Sequence, residues 1–137
     1  MQATVSYATP DDFAALSFCY TRPAPDILKR KISSREVMVA KIDNLVVGLL
    51  TYTLLYDTIP FVNELWVAEE HRRHGIGTQL VAFFESEARR GGATQVMTSS
   101  QADEDGQHFW RTIGFSDAGG VLLPGQSLEI FFRKDLR

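Results

Sequence analysis

The residues best placed for chemistry lie in one stretch, Leu65-Trp66-Val67-Ala68-Glu69-Glu70-His71-Arg72-Arg73-His74-Gly75-Ile76-Gly77-Thr78-Gln79-Leu80. Gly75 and Gly77 follow a basic run and stand where an apolar segment, residues 61–67, hands over to a helical pattern. The first backbone N–H groups of a helix lack intrahelical partners, and the helix dipole puts its positive end there. A residue without a Cβ lets a bulky anion approach that backbone. Strand, basic turn, Gly-x-Gly and helix therefore suit a phosphate group, with Arg72, Arg73 and His74 as further donors. The plainer alternative is a tight turn with solvated arginines, because short glycine patterns also arise by chance. Two other phosphate loops are excluded. No Gly-x-x-x-x-Gly-Lys-Ser/Thr string exists, and Leu80 stands where a Gly-x-Gly-x-x-Gly dinucleotide fingerprint needs its third glycine.

The elements that must position this loop follow from periodicity. Ile76, Leu80, Phe84 and Ala88 recur every fourth residue, widened by Val81 and Phe83, and Gly91-Gly92 closes the helix. Residues 4–8 predict a first strand. Thr9 is the expected N-cap of a helix that begins at Pro10 and runs through Tyr20, before Thr21-Arg22-Pro23-Ala24-Pro25 breaks it. Residues 26–34 predict a short helix whose Lys29, Arg30 and Lys31 form a solvated face, with binding of an acidic substrate as the alternative. Residues 36–42 and 45–55 predict an antiparallel hairpin turned by Asp43-Asn44, and the apolar run at 45–50 predicts a strand covered on both faces. Residues 94–100 predict a strand, 107–113 a short helix ending at Gly114, and 115–123 and 127–134 two final strands around Pro124-Gly125. The order β-α-α-β-β-β-α-β-α-β-β implies a mixed sheet with helices on both faces.

At 137 residues the chain predicts a single domain over 1–137 with a substantial core. Its 45% hydrophobic and 23% charged residues are those of a globular protein, and a net charge of −3 without a Lys/Arg cluster argues against a nucleic-acid surface. A lone Cys19 excludes an internal disulfide, and His71, His74 and His108 lack metal-site spacing, so no metal is expected. The N-terminus lacks a signal pattern, and the longest apolar run, residues 45–56, is too short and too rich in Thr and Tyr for a membrane span. A reducing, cytoplasmic compartment with no membrane partner is the expectation; a homodimer is left open.

Arg72-Arg73-His74-Gly75-Ile76-Gly77 resembles the Arg/Gln-x-x-Gly-x-Gly/Ala pyrophosphate loop of the GNAT N-acetyltransferases, and Leu65-Trp66-Val67 resembles the Leu-x-Val strand end that precedes it. Phe109-Trp110-Arg111-Thr112-Ile113-Gly114-Phe115 is similar to the family's Phe-Tyr-x-x-x-Gly-Phe, and the Lys134-Asp135-Leu136 ending to its last strand. The resemblance covers essentially the whole chain. It implies an α/β (α+β) GNAT-like acyl-CoA N-acyltransferase fold, a mixed, mostly antiparallel sheet of about seven strands flanked by about four helices.

The resemblance further implies acetyl-CoA as co-substrate and direct transfer of acetyl to a primary amine of a small molecule or peptide. The pyrophosphate would take the backbone N–H groups of Arg73, His74, Gly75, Ile76, Gly77 and Thr78, with Arg72 beside them. The pantetheine arm would run along Leu65, Trp66 and Val67, on a strand splayed from its neighbour, with the Val67 N–H at the thioester carbonyl. Glu64 matches the family's base or water-orienting glutamate, and partial burial there would raise its pKa; a bystander or amine-binding role is the alternative. Asp103 stands at the family's loop Asn, and Phe109 and Trp110 at its Phe-Tyr pair. Indole cannot serve as the acid that tyrosine supplies, so the thiolate leaves unassisted, another donor such as His108 or a water serves, or catalysis is lost. A non-catalytic acyl-CoA-binding regulatory module is therefore the rival reading. The amine's identity and the preferred acyl length are not legible in the sequence.

Overall fold

In the computed structural model, which describes residues 2–137, the predicted order of elements is present. The strands are β1 (Thr4–Tyr7), β2 (Val37–Ile42), β3 (Leu45–Leu55), β4 (Ile59–Val67), β5 (Gln95–Gln101), β6 (Ser116–Val121) and β7 (Glu129–Asp135). The helices are α1 (Phe13–Cys19), α2 (Pro25–Ser33), α3 (Ile76–Arg90) and α4 (Gly106–Thr112). They form one sheet in the order β1-β2-β3-β4-β5-β7-β6. The β4–β5 pair is parallel, and β1–β2, β2–β3, β5–β7 and β6–β7 are antiparallel. The parallel pair is the one joined through α3, as a parallel connection requires a crossover.

Departures from the predicted boundaries have local causes. Pro10–Asp12 is a 3-10 turn ahead of α1, held by the Asp12 carboxylate accepting the Thr9 N–H at 2.8 Å. Pro25, expected to end a break, instead opens α2, where its missing N–H is no loss. A second 3-10 turn, Glu69–His71, occupies the charged segment before α3. The β2–β3 and β3–β4 connections both turn through left-handed pairs, Asp43 (φ 51°) with Asn44 (65°) and Tyr56 (53°) with Asp57 (64°). These are the dihedrals of type I′ hairpin turns, whose twist matches that of the strands they join.

The chain groups into two compact units, one taking the chain through Tyr52 together with Glu64–Phe84, the other Thr53–Asn63 and Glu85–Arg137. In the first, side chains alternate across the strands. Val37, Val39 and Leu49 pack with Leu16, Tyr20, Leu28 and Ile32 of the α1–α2 segment, and Trp66 joins the same cluster. On the opposite face Tyr52 and Tyr7 meet Phe84 and Phe83 of α3 edge to face, at 5.3 and 5.6 Å. Val47 through Thr51 are all buried, as expected of a covered central strand. Gly48 is needed there: a Cβ would lie 3.1 Å from the Trp66 carbonyl oxygen and within 3.3 Å of Leu80 and Ile76.

In the second unit, β5 and β7 pair along their whole length from Gln95↔Asp135 to Gln101↔Glu129. Trp110 stacks edge to face on Phe109 and Phe115 at 5.2 and 5.1 Å. Lys134 Nζ donates to Ile113 O at 2.9 Å and to Glu85 Oε2 at 3.0 Å, placing a cation on the C-terminal end of α4. Among the described residues no helix is long and apolar enough to cross a membrane, and no group of three or more His, Cys, Asp or Glu is placed to hold a metal.

Candidate functional site

In the second unit β4 pairs with β5 at Phe61↔Met97 and Val62↔Thr98, and the strand runs on to Val67 in the first. Pro60 and Val62 are buried, whereas Asn63, Glu64, Leu65, Trp66 and Val67 are all half-exposed. The Ala68 N–H donates to the Val47 carbonyl of β3 at 2.8 Å. Successive peptide groups of extended chain face opposite edges, so the N–H and C=O of Val67 turn to the edge that β3 does not occupy. Arg72 Nε donates to that carbonyl at 2.9 Å.

The loop is built by backbone conformation more than by side chains. Arg73 (φ 66°) and Gly75 (φ 81°) are both left-handed around His74, an alternation that converges neighbouring N–H groups into an anion-binding concavity. His74 Nδ1–H points back to the His71 carbonyl at 3.3 Å. The first i→i−4 bond of α3 runs from the Gln79 N–H to Gly75 O at 2.9 Å, so the N–H groups of Ile76, Gly77 and Thr78 precede the ladder. No acid occupies the first turn of α3. A Cβ on Gly75 would find nothing within 4 Å: the glycine serves its φ and an open approach, not protein packing. Arg72, Arg73 and His74 are exposed around it, while Ile76 is buried and anchors the helix.

Glu64 is bound to a partner the sequence did not suggest. Arg22 Nη2, from the link between α1 and α2, lies 3.0 Å from Glu64 Oε2, with side chains 70% and 29% exposed. Burial pushes the Cys19 thiol up, and Sγ donates to the Ala15 carbonyl at 3.3 Å, both of which disfavour the thiolate.

The structure thus collects Glu64, Leu65, Trp66, Val67, Arg72, Arg73, His74, Gly75, Ile76, Gly77 and Thr78 in the first unit, together with Arg22. Asp103, Phe109 and Trp110 belong to the second. Asp103 is exposed in a loop tied by Gln107 Nε2, which donates to the carbonyls of Ala102 and Glu104 at 2.7 and 2.9 Å. Phe109 is half-buried and Trp110 buried in its aromatic stack. Gly48 and Arg22 escaped sequence reasoning. Gly48 sits inside an apolar run with no turn signal, and Arg22 looked like part of a helix break.

The sequence model of the acetyltransferase (GNAT) family matches residues 5–115. No curated protein gives a significant match. Among solved structures, Ard1 from Thermoplasma volcanium is 18% identical, with 98% of each chain covered and a TM-score of 0.84. An acetyltransferase of the GNAT family from Bacillus cereus is 22% identical over 98% of each chain, with a TM-score of 0.83. The yncA protein of Salmonella typhimurium, solved with its cofactor acetyl-CoA, is 17% identical over 100% of this chain and 95% of that one, at 0.84. At these identities the structures speak for the fold. With the family match spanning the first strand, the Gly75–Gly77 loop and the Gly114-Phe115 turn, the chain belongs to the GNAT acetyltransferase family.

Proposed function

We propose that the protein is an acetyl-CoA-dependent N-acetyltransferase that transfers acetyl to a primary amine of a small molecule or peptide by direct attack. The observation that carries this reading is the left-handed Arg73 and Gly75 at the start of α3, together with a Val67 N–H turned away from β3 on the strand leading into that loop. The loop fits a pyrophosphate: its N–H groups converge, its glycine leaves room, and its nearest exposed side chains are basic. Asp103, Phe109 and Trp110 are proposed as further cofactor contacts on family resemblance. The whole of 1–137 acts as one catalytic domain, since β3, β4 and α3 each run through both compact units. A lone, protonated Cys19 suits a reducing compartment such as the cytoplasm.

Acetyl-CoA supplies the thioester; this chain's residues do the rest. Glu64 takes a proton from the acceptor's ammonium, directly or through a water, and so exposes the nitrogen lone pair. That nitrogen bonds to the thioester carbonyl carbon, the C–S bond breaks with its electron pair on sulfur, and the nitrogen's second proton passes to water. The Val67 N–H donates to the carbonyl oxygen as negative charge gathers there. No side chain of this site is assigned as acid to the thiolate, which leaves to be protonated by water.

Acetyl-CoA at 100 times its Kd should stabilise the fold by about 2.7 kcal/mol, read as a rise in Tm. Release of free thiol across a panel of primary amines then tests turnover. Glu64→Gln keeps the side chain's shape but accepts no proton. It should lower kcat by about 10²–10⁴-fold while leaving acetyl-CoA affinity near wild type. Binding without turnover of any amine would assign the protein to the non-catalytic alternative. An unchanged Glu64→Gln would remove that residue from the mechanism.

A further inference from the structure

The link between α1 and α2, Tyr20-Thr21-Arg22-Pro23-Ala24, is held at both ends. Tyr20 is buried, with its hydroxyl 3.4 Å from Thr51 Oγ1 in the core. Ala24 caps α2, its carbonyl accepting the N–H groups of Ile27 and Leu28 at 3.0 and 3.1 Å. Between these anchors Pro23 fixes its own φ and restricts the backbone of Arg22. From this stiff link the Arg22 side chain, 70% exposed, reaches Glu64 on the half-exposed part of β4.

An ion pair between so exposed an arginine and a glutamate contributes little to stability. Its placement is more informative. The Arg22 guanidinium is planar and carries five donors in a fixed fork. Glu64 is the group proposed above to receive the acceptor's amine. A guanidinium and a carboxylate one ion-pair distance apart are the mirror of a molecule bearing an ammonium and a carboxylate on neighbouring atoms.

We propose that the acceptor is a zwitterion of the amino-acid class, its ammonium taken by Glu64 and its carboxylate by the Arg22 fork. The inference rests on the N-acetyl-transfer reading. On binding, the internal pair is exchanged for two charge-assisted contacts, and opening it costs little because both groups already reach water. The same two groups work against the wrong acceptors. A diamine brings a second cation to Arg22, and an acid without an amine brings an anion to Glu64. Arg22 is thus a specificity residue, set in the sequence far from the strand it serves.

The test is a panel of free amino acids, each beside its carboxamide and its decarboxylated amine, with two readouts. In turnover with acetyl-CoA, wild type should favour carboxylate-bearing acceptors at least tenfold in kcat/KM. Arg22→Gln should erase that preference through a loss of about 10–100-fold on those acceptors. Arg22→Lys should recover part of it, as a charge without the fork. In binding, amino acids should raise the Tm of the coenzyme A-loaded protein in an Arg22-dependent way. Arg22→Gln alone should leave the unliganded Tm nearly unchanged, since the pair is exposed. Binding of this kind without turnover would sink the transfer reading and keep the zwitterion site. The proposal is overturned if amides or diamines match the amino acids in both readouts, if Arg22→Gln weakens all acceptors equally, or if no amino acid binds.

Discussion

Gly75 and Gly48 are both essential to the site's backbone, for opposite reasons. Gly75 is left-handed at φ 81° with open space where a Cβ would point, while Gly48 is hemmed by the Trp66 carbonyl and the Ile76 and Leu80 side chains. Gly75→Glu should therefore cost the fold only backbone strain, about 1–2 kcal/mol, yet abolish acetyl-CoA binding by filling the anion's approach with a negative charge. Calorimetric titration of the folded variant checks this; wild-type affinity would disprove the loop assignment. The loop was legible in the sequence because glycine spacing and basic neighbours are local features. Gly48 was not, because its need arises from a carbonyl and two side chains that folding alone brings to it. Glu64 shows both sides: its place on the strand could be read from the chain, but its Arg22 partner could not.

Among the elements, α4 is the one most dependent on a distant anchor. Its seven residues are too few to hold a helix by their own hydrogen bonds. Lys134 of β7 secures its last turn through Ile113 O, and Glu85 of α3, with its side chain 9% exposed, is the counter-charge. Lys134→Met should destabilise by about 3–5 kcal/mol, because it strands a buried carboxylate. The double variant Lys134→Met/Glu85→Gln should recover a large part of that loss in denaturant unfolding. Additive losses would show instead that the two side chains act independently. Periodicity placed α3 at its observed start and end because a long amphipathic stripe is a strong local pattern. It placed Pro25 and the two 3-10 turns less well. A proline is accepted at a helix start and refused inside one, and only the surrounding fold determines which applies.

For the molecule as a whole, acid stability should turn partly on Asp12. Burial raises its pKa, but Lys41 at 2.6 Å and the Thr9 N–H outweigh that and hold the carboxyl below its ordinary 3.8. Because the folded value is the lower one, the unfolded chain binds the extra proton. The stabilisation is complete above 3.8 and is lost as pH falls through the folded value. Hydrogen bonds from Arg111 and Arg137 lower Asp117 and Asp135 in the same sense, on the exposed surface. Asp12→Asn should cost about 1–3 kcal/mol at neutral pH and flatten the fall in stability below pH 4, as followed by urea unfolding across pH. An unaltered acid slope would assign the dependence to other carboxylates.

What the chain's own order of residues determined is its sequence of strands and helices, its Gly-x-Gly loop and its membership of a fold class. Each of these depends on near neighbours: alternation, a fourfold apolar repeat, a glycine where φ must be positive. What only the tertiary structure decided is that Gly48 lies under the Trp66 carbonyl, that the Val67 N–H faces away from β3, and that Arg22 meets Glu64. Those depend on groups far apart in the chain and close in space. Their energies belong to the pairing itself, and no local pattern records them.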